Sequence, residues 1–127
     1  PIVTLKDDSR RYRLSAMGDG INRILTIILS MLNCKNGVFL LDEFETGLHY
    51  SVQEQLWNIV FSLSEKLNIQ VFATSHSRDC IEGFANRNNR QSGLLIRIEN
   101  RGETIVPVQY DNSDDILFAI NKDIEIR

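Results

Sequence analysis

The sequence predicts an α/β fold, with parallel strands flanked by helices and an antiparallel hairpin appended towards the C-terminus. Three observations carry this reading. Val38–Leu41 and Gln70–Thr74 are short continuous apolar runs of the kind that parallel strands show when helices cover both faces. Between them Val52, Leu56, Ile59, Val60, Leu63 and Leu67 recur at helical spacing, so the segment reads strand, helix, strand, a right-handed βαβ unit. Further on, Leu94, Ile96 and Ile98 alternate with Leu95, Arg97 and Glu99 before a turn at Asn100-Arg101-Gly102.

The remaining elements follow in order. Ile2 to Leu14 reads as two short strands around Asp7-Asp8-Ser9. Gly18-Asp19-Gly20 then precedes a helix whose inward face is expected to carry Ile21, Ile24, Leu25, Ile28, Leu29 and Leu32, and Asn36-Gly37 ends it. Ser51 with Glu54 three residues on predicts a capping box for the next helix. Trp57 and Phe61 on that helix are assigned to the core. Ser77 caps a helix over roughly Arg78 to Asn88, with Ile81, Phe84 and Ala85 inward. Thr104 to Tyr110 returns as the second hairpin strand, placed at an edge because Pro107 cannot donate to a ladder. Ser113, with Asp114 and Asp115, opens a last short helix.

The chain has 127 residues, the length of one domain, and is 43% hydrophobic and 24% charged, an ordinary globular composition. A net charge of -3 gives no bulk attraction for nucleic acid, and the basic cluster Arg10, Arg11 and Arg13 is read as a solvated segment. Ile24 to Leu32 is too short to span a bilayer. Cys34 and Cys80 lack ligand spacing and are expected to be buried thiols in a reducing cytosol.

Three segments carry chemistry. Val38-Phe39-Leu40-Leu41-Asp42-Glu43 delivers two carboxylates at the end of a buried strand, where open α/β sheets collect their ligands. There Asp42 can orient Mg²⁺ through its water shell and Glu43 can polarise an attacking water, help typically worth about 10²–10⁴ in rate. An acidic pair that merely closes a strand fits the hexapeptide alone. Thr74-Ser75-His76-Ser77 ends the next apolar strand, so His76 is expected to reach the same sheet edge as Glu43 and to meet a γ-phosphate. A lone histidine there is also compatible with a structural role. Leu14-Ser15-Ala16-Met17-Gly18-Asp19-Gly20 stands before a helix start, where open N–H groups and the helix dipole favour an anion.

Taken together, this order resembles the C-terminal half of the ABC-type ATPase domain, a partial P-loop NTPase sheet. The likeness is to the stand-alone AAA ATPases related to the RecF, SMC and OLD proteins, and it runs from about Leu14 to Phe84. It rests on Gly18-Asp19-Gly20, on Asp42-Glu43-Phe44-Glu45-Thr46-Gly47-Leu48-His49 and on Ala73-Thr74-Ser75-His76-Ser77. The resemblance implies ATP and Mg²⁺ as cofactors, with Asp42 serving the metal, Glu43 as base and His76 as switch. Thr46 to His49, including Gly47 and His49, match the D-loop that faces another protomer. Ser15, Gly18, Asp19 and Gly20 match the signature that touches the partner's ATP. The signature departs from the transporter form Leu-Ser-Gly-Gly-Gln, and the usual serine register falls on Ala16, which leaves the role of Ser15 open. The resemblance thus points to a cytoplasmic ATP-sandwich homodimer with no membrane role, beside a nuclease or nucleic-acid-related effector.

A phosphate-cradling Gly-x4-Gly-Lys-Ser/Thr is missing from these residues. The four lysines are Lys6, Lys35, Lys66 and Lys122, and none follows a glycine or precedes Ser or Thr. Residues 1–127 are therefore expected to be the C-terminal portion of one ATPase domain, inactive alone and completed by a half that carries the Walker A loop. The start at Pro1 favours a fragment over a separately encoded half. Two other classes remain: a non-enzymatic α/β interaction module, and a metal-dependent hydrolase using Asp42, Glu43 and His76.

Overall fold

The computed structural model describes residues 2–5, 8–13, 18–88 and 92–122, the first two ranges as backbone only. Strands β1 (Ile2–Leu5) and β2 (Asp8–Arg13) pair antiparallel, with Asp8 already in the ladder opposite Leu5. Helix α1 (Asp19–Leu32) leads to β3 (Val38–Leu41), α2 (Tyr50–Leu67) and β4 (Gln70–Ala73). Strands β3 and β4 are parallel, as the strand–helix–strand pattern requires, in the register Phe39↔Val71 and Leu41↔Ala73. After α3 (Arg78–Arg87), β5 (Leu95–Arg101) and β6 (Thr104–Tyr110) form the antiparallel hairpin, and α4 (Ser113–Asn121) closes the chain. The class is α/β.

The core gathers buried residues of α1, α2, α3 and α4 with Phe39 and Leu41 of β3, and Val71 of β4 packs partly buried against it. Met31, Phe44 and Cys80 are fully buried in it, with Leu56 and Ile116 nearly so. Phe44 stacks on Trp57 with ring centroids 4.0 Å apart and planes 9° apart, and Phe84 meets Trp57 edge-on at 5.1 Å. The Trp57 indole N–H donates to the Cys80 carbonyl at 2.9 Å, so the largest core side chain leaves no polar atom unpaired. Trp57 is therefore core, Phe61 is half-buried against it, and Ile81, Phe84 and Ala85 face inward as expected.

Several expectations are corrected. β3 is covered on one face only: Phe39 and Leu41 are buried, whereas Val38 and Leu40 are exposed, as is Phe72 in β4, the register partner of Leu40. In α1 the buried residues are Ile27 and Met31, while Ile21, Leu29 and Leu32 of the expected inward face are exposed. The apolar stripe of α1 is wider than the surface this chain covers. The capping box at Ser51 does not form: α2 begins two residues earlier, at Tyr50, His49 is its cap, and Glu54 instead pairs with Arg87 at 2.7 Å. Helix α4 does open at Ser113 with Asp114 and Asp115 in its first turn, as expected, and Asn112 caps it, its side chain accepting from the Asp115 N–H at 2.9 Å. The expected alternation of the hairpin is present, with Leu95, Arg97 and Glu99 half-buried and Ile96 and Ile98 exposed. Cys34 is only partly buried. No helix among the described residues is long and apolar enough to cross a membrane.

Candidate functional site

Parallel pairing brings the ends of β3 and β4 to the same edge. The ladder continues past both strands: Thr74 N–H donates to the Leu41 carbonyl at 3.0 Å and Phe44 N–H to the Thr74 carbonyl at 2.9 Å. Asp42-Glu43 and Thr74-Ser75-His76 therefore leave the sheet side by side. Asp42, Thr74, Ser75 and His76 line one cavity of about 1150 Å³, which extends along β4 to Trp57 and the strand β5. Glu43 stands outside its lining. Of the dyad expected to share a pocket with the imidazole, Asp42 thus lines the same cavity as His76 and Glu43 does not.

The backbone at Glu43 is left-handed, φ 48°, a conformation that costs a non-glycine residue of order 1–3 kcal/mol. Its neighbours hold it there. Its N–H donates to the Thr74 hydroxyl at 2.9 Å, its carboxylate accepts from the Thr46 hydroxyl at 2.9 Å, and the next residue, Phe44, is locked in the core. From α1, Arg23 donates to the carbonyls of Asp42 and Glu43 at 3.0 and 3.3 Å, so one guanidinium grips the backbone of both acids. On the far side of the loop, Glu45 accepts from the His76 N–H at 2.8 Å. Burial opposes ionisation of Glu45, but the Ser75 hydroxyl, the His76 N–H and the nearby imidazole outweigh it and hold the carboxyl below its ordinary value.

The glycines of the two expected partner-facing segments meet. A Cβ on Gly20 would stand 3.3 Å from the Gly47 carbonyl oxygen, so the start of α1 packs directly on the loop before α2. Gly47 itself has φ 75°. Gly18 occupies the cap position of α1 and no side chain caps that end; Asp19 is in the first turn and exposed. Ser15 lies outside the described residues. His49 is assigned to the loop but also has a local task, accepting from the Ser51 N–H as the cap of α2.

Sequence reasoning missed Arg23, Glu45 and Thr74. Glu45 and Thr74 lie within the motifs, but their tasks depend on the register and loop path that set Glu45 on the His76 N–H and Thr74 on Asp42, a three-dimensional fact. Among the described residues, no three His, Cys, Asp or Glu side chains converge as a metal-ion ligand set. A single exposed carboxylate at a strand end suits a Mg²⁺ that keeps most of its waters and shares phosphate oxygens, rather than a metal caged by protein alone.

A family model described as AAA ATPase domain matches residues 2–81. An ATP/GTP phosphatase of Helicobacter pylori is 33% identical over 83 residues, 63% of this chain. The chain spans only 22% of the length of that relative. An uncharacterized protein of Methanocaldococcus jannaschii is 30% identical over 92 residues, 71% of this chain and 81% of that protein. With a match over more than half its length and acidic and histidine strand ends brought to one edge, the chain belongs to the AAA ATPase domain family.

Proposed function

We propose that this chain is the C-terminal, hydrolytic portion of an ABC-type ATPase domain, which works as an ATP-sandwich dimer once joined to a half that carries the Walker A loop. The observation that carries the reading is the in-register parallel pairing of β3 and β4, which sets Asp42-Glu43 beside Thr74-Ser75-His76. Asp42 holds the water shell of Mg²⁺, Glu43 exchanges its bond from Thr46 for the attacking water, and His76 donates to the γ-phosphate. When bound, Mg²⁺ neutralises charge on the phosphate oxygens. Gly18, Asp19 and Gly20, with Ser15, face the ATP of the other protomer, and Gly47 and His49 lie in the loop between protomers. The contact between Gly20 and Gly47 supports treating these two segments as one surface.

The exposed apolar residues Val38, Leu40 and Phe72 support a second covering layer on the sheet, supplied by the Walker A half. The reading extends to a cytoplasmic machine whose effector is a nuclease or another nucleic-acid-related partner. By itself the chain neither holds ATP tightly nor hydrolyses it, because it lacks a loop to wrap the phosphates.

The deciding experiment is Glu43→Gln in the complete ATPase. The variant retains ATP, stops turning it over and accumulates as a dimer. Normal turnover by this variant removes Glu43 as the base, and appreciable turnover by residues 1–127 alone refutes the division of labour.

A further inference from the structure

We infer that Thr74 is a positioning residue of the hydrolytic site, the hydroxyl that sets Asp42 and Glu43 relative to one another. The inference rests on the functional reading above and adds a residue to it.

A threonine hydroxyl has one proton to give and lone pairs to receive. Here both capacities are used on the acidic pair. The Thr74 Oγ1–H donates to Asp42 Oδ1, and the same oxygen accepts from the Glu43 N–H at 2.9 Å. Its main chain is held equally firmly, the N–H on the Leu41 carbonyl and the carbonyl on the Phe44 N–H. Residue 74 is thus bonded to four consecutive residues, 41 to 44, as β3 turns into the loop.

Two consequences follow from the directions of these bonds. Because the hydroxyl proton is committed to Asp42, the carboxylate is fixed as an acceptor through Oδ1, and Oδ2 is the oxygen left for the water shell of a cation. Because the hydroxyl oxygen receives the Glu43 N–H, it helps to hold residue 43 in the left-handed conformation that the chain would otherwise leave. Thr74 is exposed, so water can replace its bonds at little cost in stability. What water cannot replace is the fixed orientation of two charged groups. Outer partners of this kind usually matter for affinity and rate more than for folding.

The side chain has no other partner among the described residues, and its methyl branch suits the end of a strand. Thr74→Val therefore keeps shape and strand preference while removing both hydroxyl bonds. Thr74→Ser keeps the hydroxyl and removes only the methyl group.

The test uses the complete ATPase with Glu43→Gln as background. The affinity of a fluorescent ATP analogue is measured with Mg²⁺ and again with EDTA, and the ratio is the gain that the metal confers. Asp42→Ala is the reference for loss of that gain. Thr74→Val is expected to lower the gain roughly tenfold or more, with the EDTA affinity unchanged, and Thr74→Ser to restore most of it. Thermal unfolding of the background, Thr74→Val and Thr74→Ser proteins should agree closely. If Asp42→Ala loses the gain but Thr74→Val keeps it, or if Thr74→Ser is as weak as Thr74→Val, the positioning role is overturned while the metal reading stands. If Asp42→Ala keeps the full gain, the metal reading itself fails and the role of Thr74 falls with it.

Discussion

The Glu45 carboxylate accepts the backbone N–H of His76 at 2.8 Å, linking the loop after the acidic pair to the segment that leaves the neighbouring strand. The bond crosses 31 residues of sequence and makes the two chain segments one unit. A carboxylate in this place does more than a neutral acceptor, because a charged partner roughly doubles the strength of such a bond.

From this a pH dependence follows. Glu45 is held below its ordinary value of 4.5, so the folded state favours its ionised form. Its contribution to stability is complete above that value and is lost as pH falls through the lower folded-state value. The difference in Tm between the wild type and Glu45→Gln should therefore be constant near neutrality and shrink below about pH 4.5. Thermal unfolding across pH 3–7 measures it; a difference that grows on acidification contradicts the assignment.

Phe44 is fully buried and stacked on Trp57, and it follows directly on the strained Glu43. Phe44→Ala should cost about 3–5 kcal/mol, as large-to-small changes of a core aromatic do. Urea unfolding gives the value. A loss below about 1 kcal/mol would show that the ring is not the anchor of the loop.

Cys80 is wholly buried, and burial pushes its thiol up to about 11, whereas Cys34 is partly accessible. A maleimide at pH 7.5 should label Cys34 and spare Cys80 until denaturant is added, because the thiolate is the reactive form. Mass mapping of the labelled peptides distinguishes the two.

Gly47 adopts φ 75°, and no atom lies within 4 Å of where a Cβ would stand. Gly47→Ala therefore introduces backbone strain without a clash, about 1–2 kcal/mol for a side chain in the left-handed region. Chemical unfolding checks the magnitude. An unchanged midpoint would mean that the loop re-forms around alanine.

Much of this architecture was legible in the residues themselves. Continuous apolar runs gave β3 and β4, helical periodicity gave α2 between them, and Ser77 caps α3 by accepting the Cys80 N–H at 3.3 Å. Parallel pairing then made the exit of Asp42-Glu43 and Thr74-Ser75-His76 at one sheet edge a consequence of topology. What was not legible was burial. Periodicity marks every apolar face that a helix or strand possesses, and α1 and β3 possess more than this chain covers, hence exposed Ile21, Leu29, Val38 and Leu40. Local capping was ambiguous for a similar reason: Ser51 and His49 both offer an acceptor near the same turn, and only the path of the loop selects His49. The tasks of Thr74, Arg23 and Glu45 depend on register and loop shape, which no single segment encodes.

The stacking of Phe44 on Trp57 has a mechanical consequence for the acidic pair. A ring clamped in the interior next to Glu43 ties the backbone of the acidic pair to helix α2, while the rotation of the exposed carboxylates about their own side-chain bonds is not set by that ring. A backbone shift at residues 42–43 is therefore coupled, through that ring, to a shift of α2.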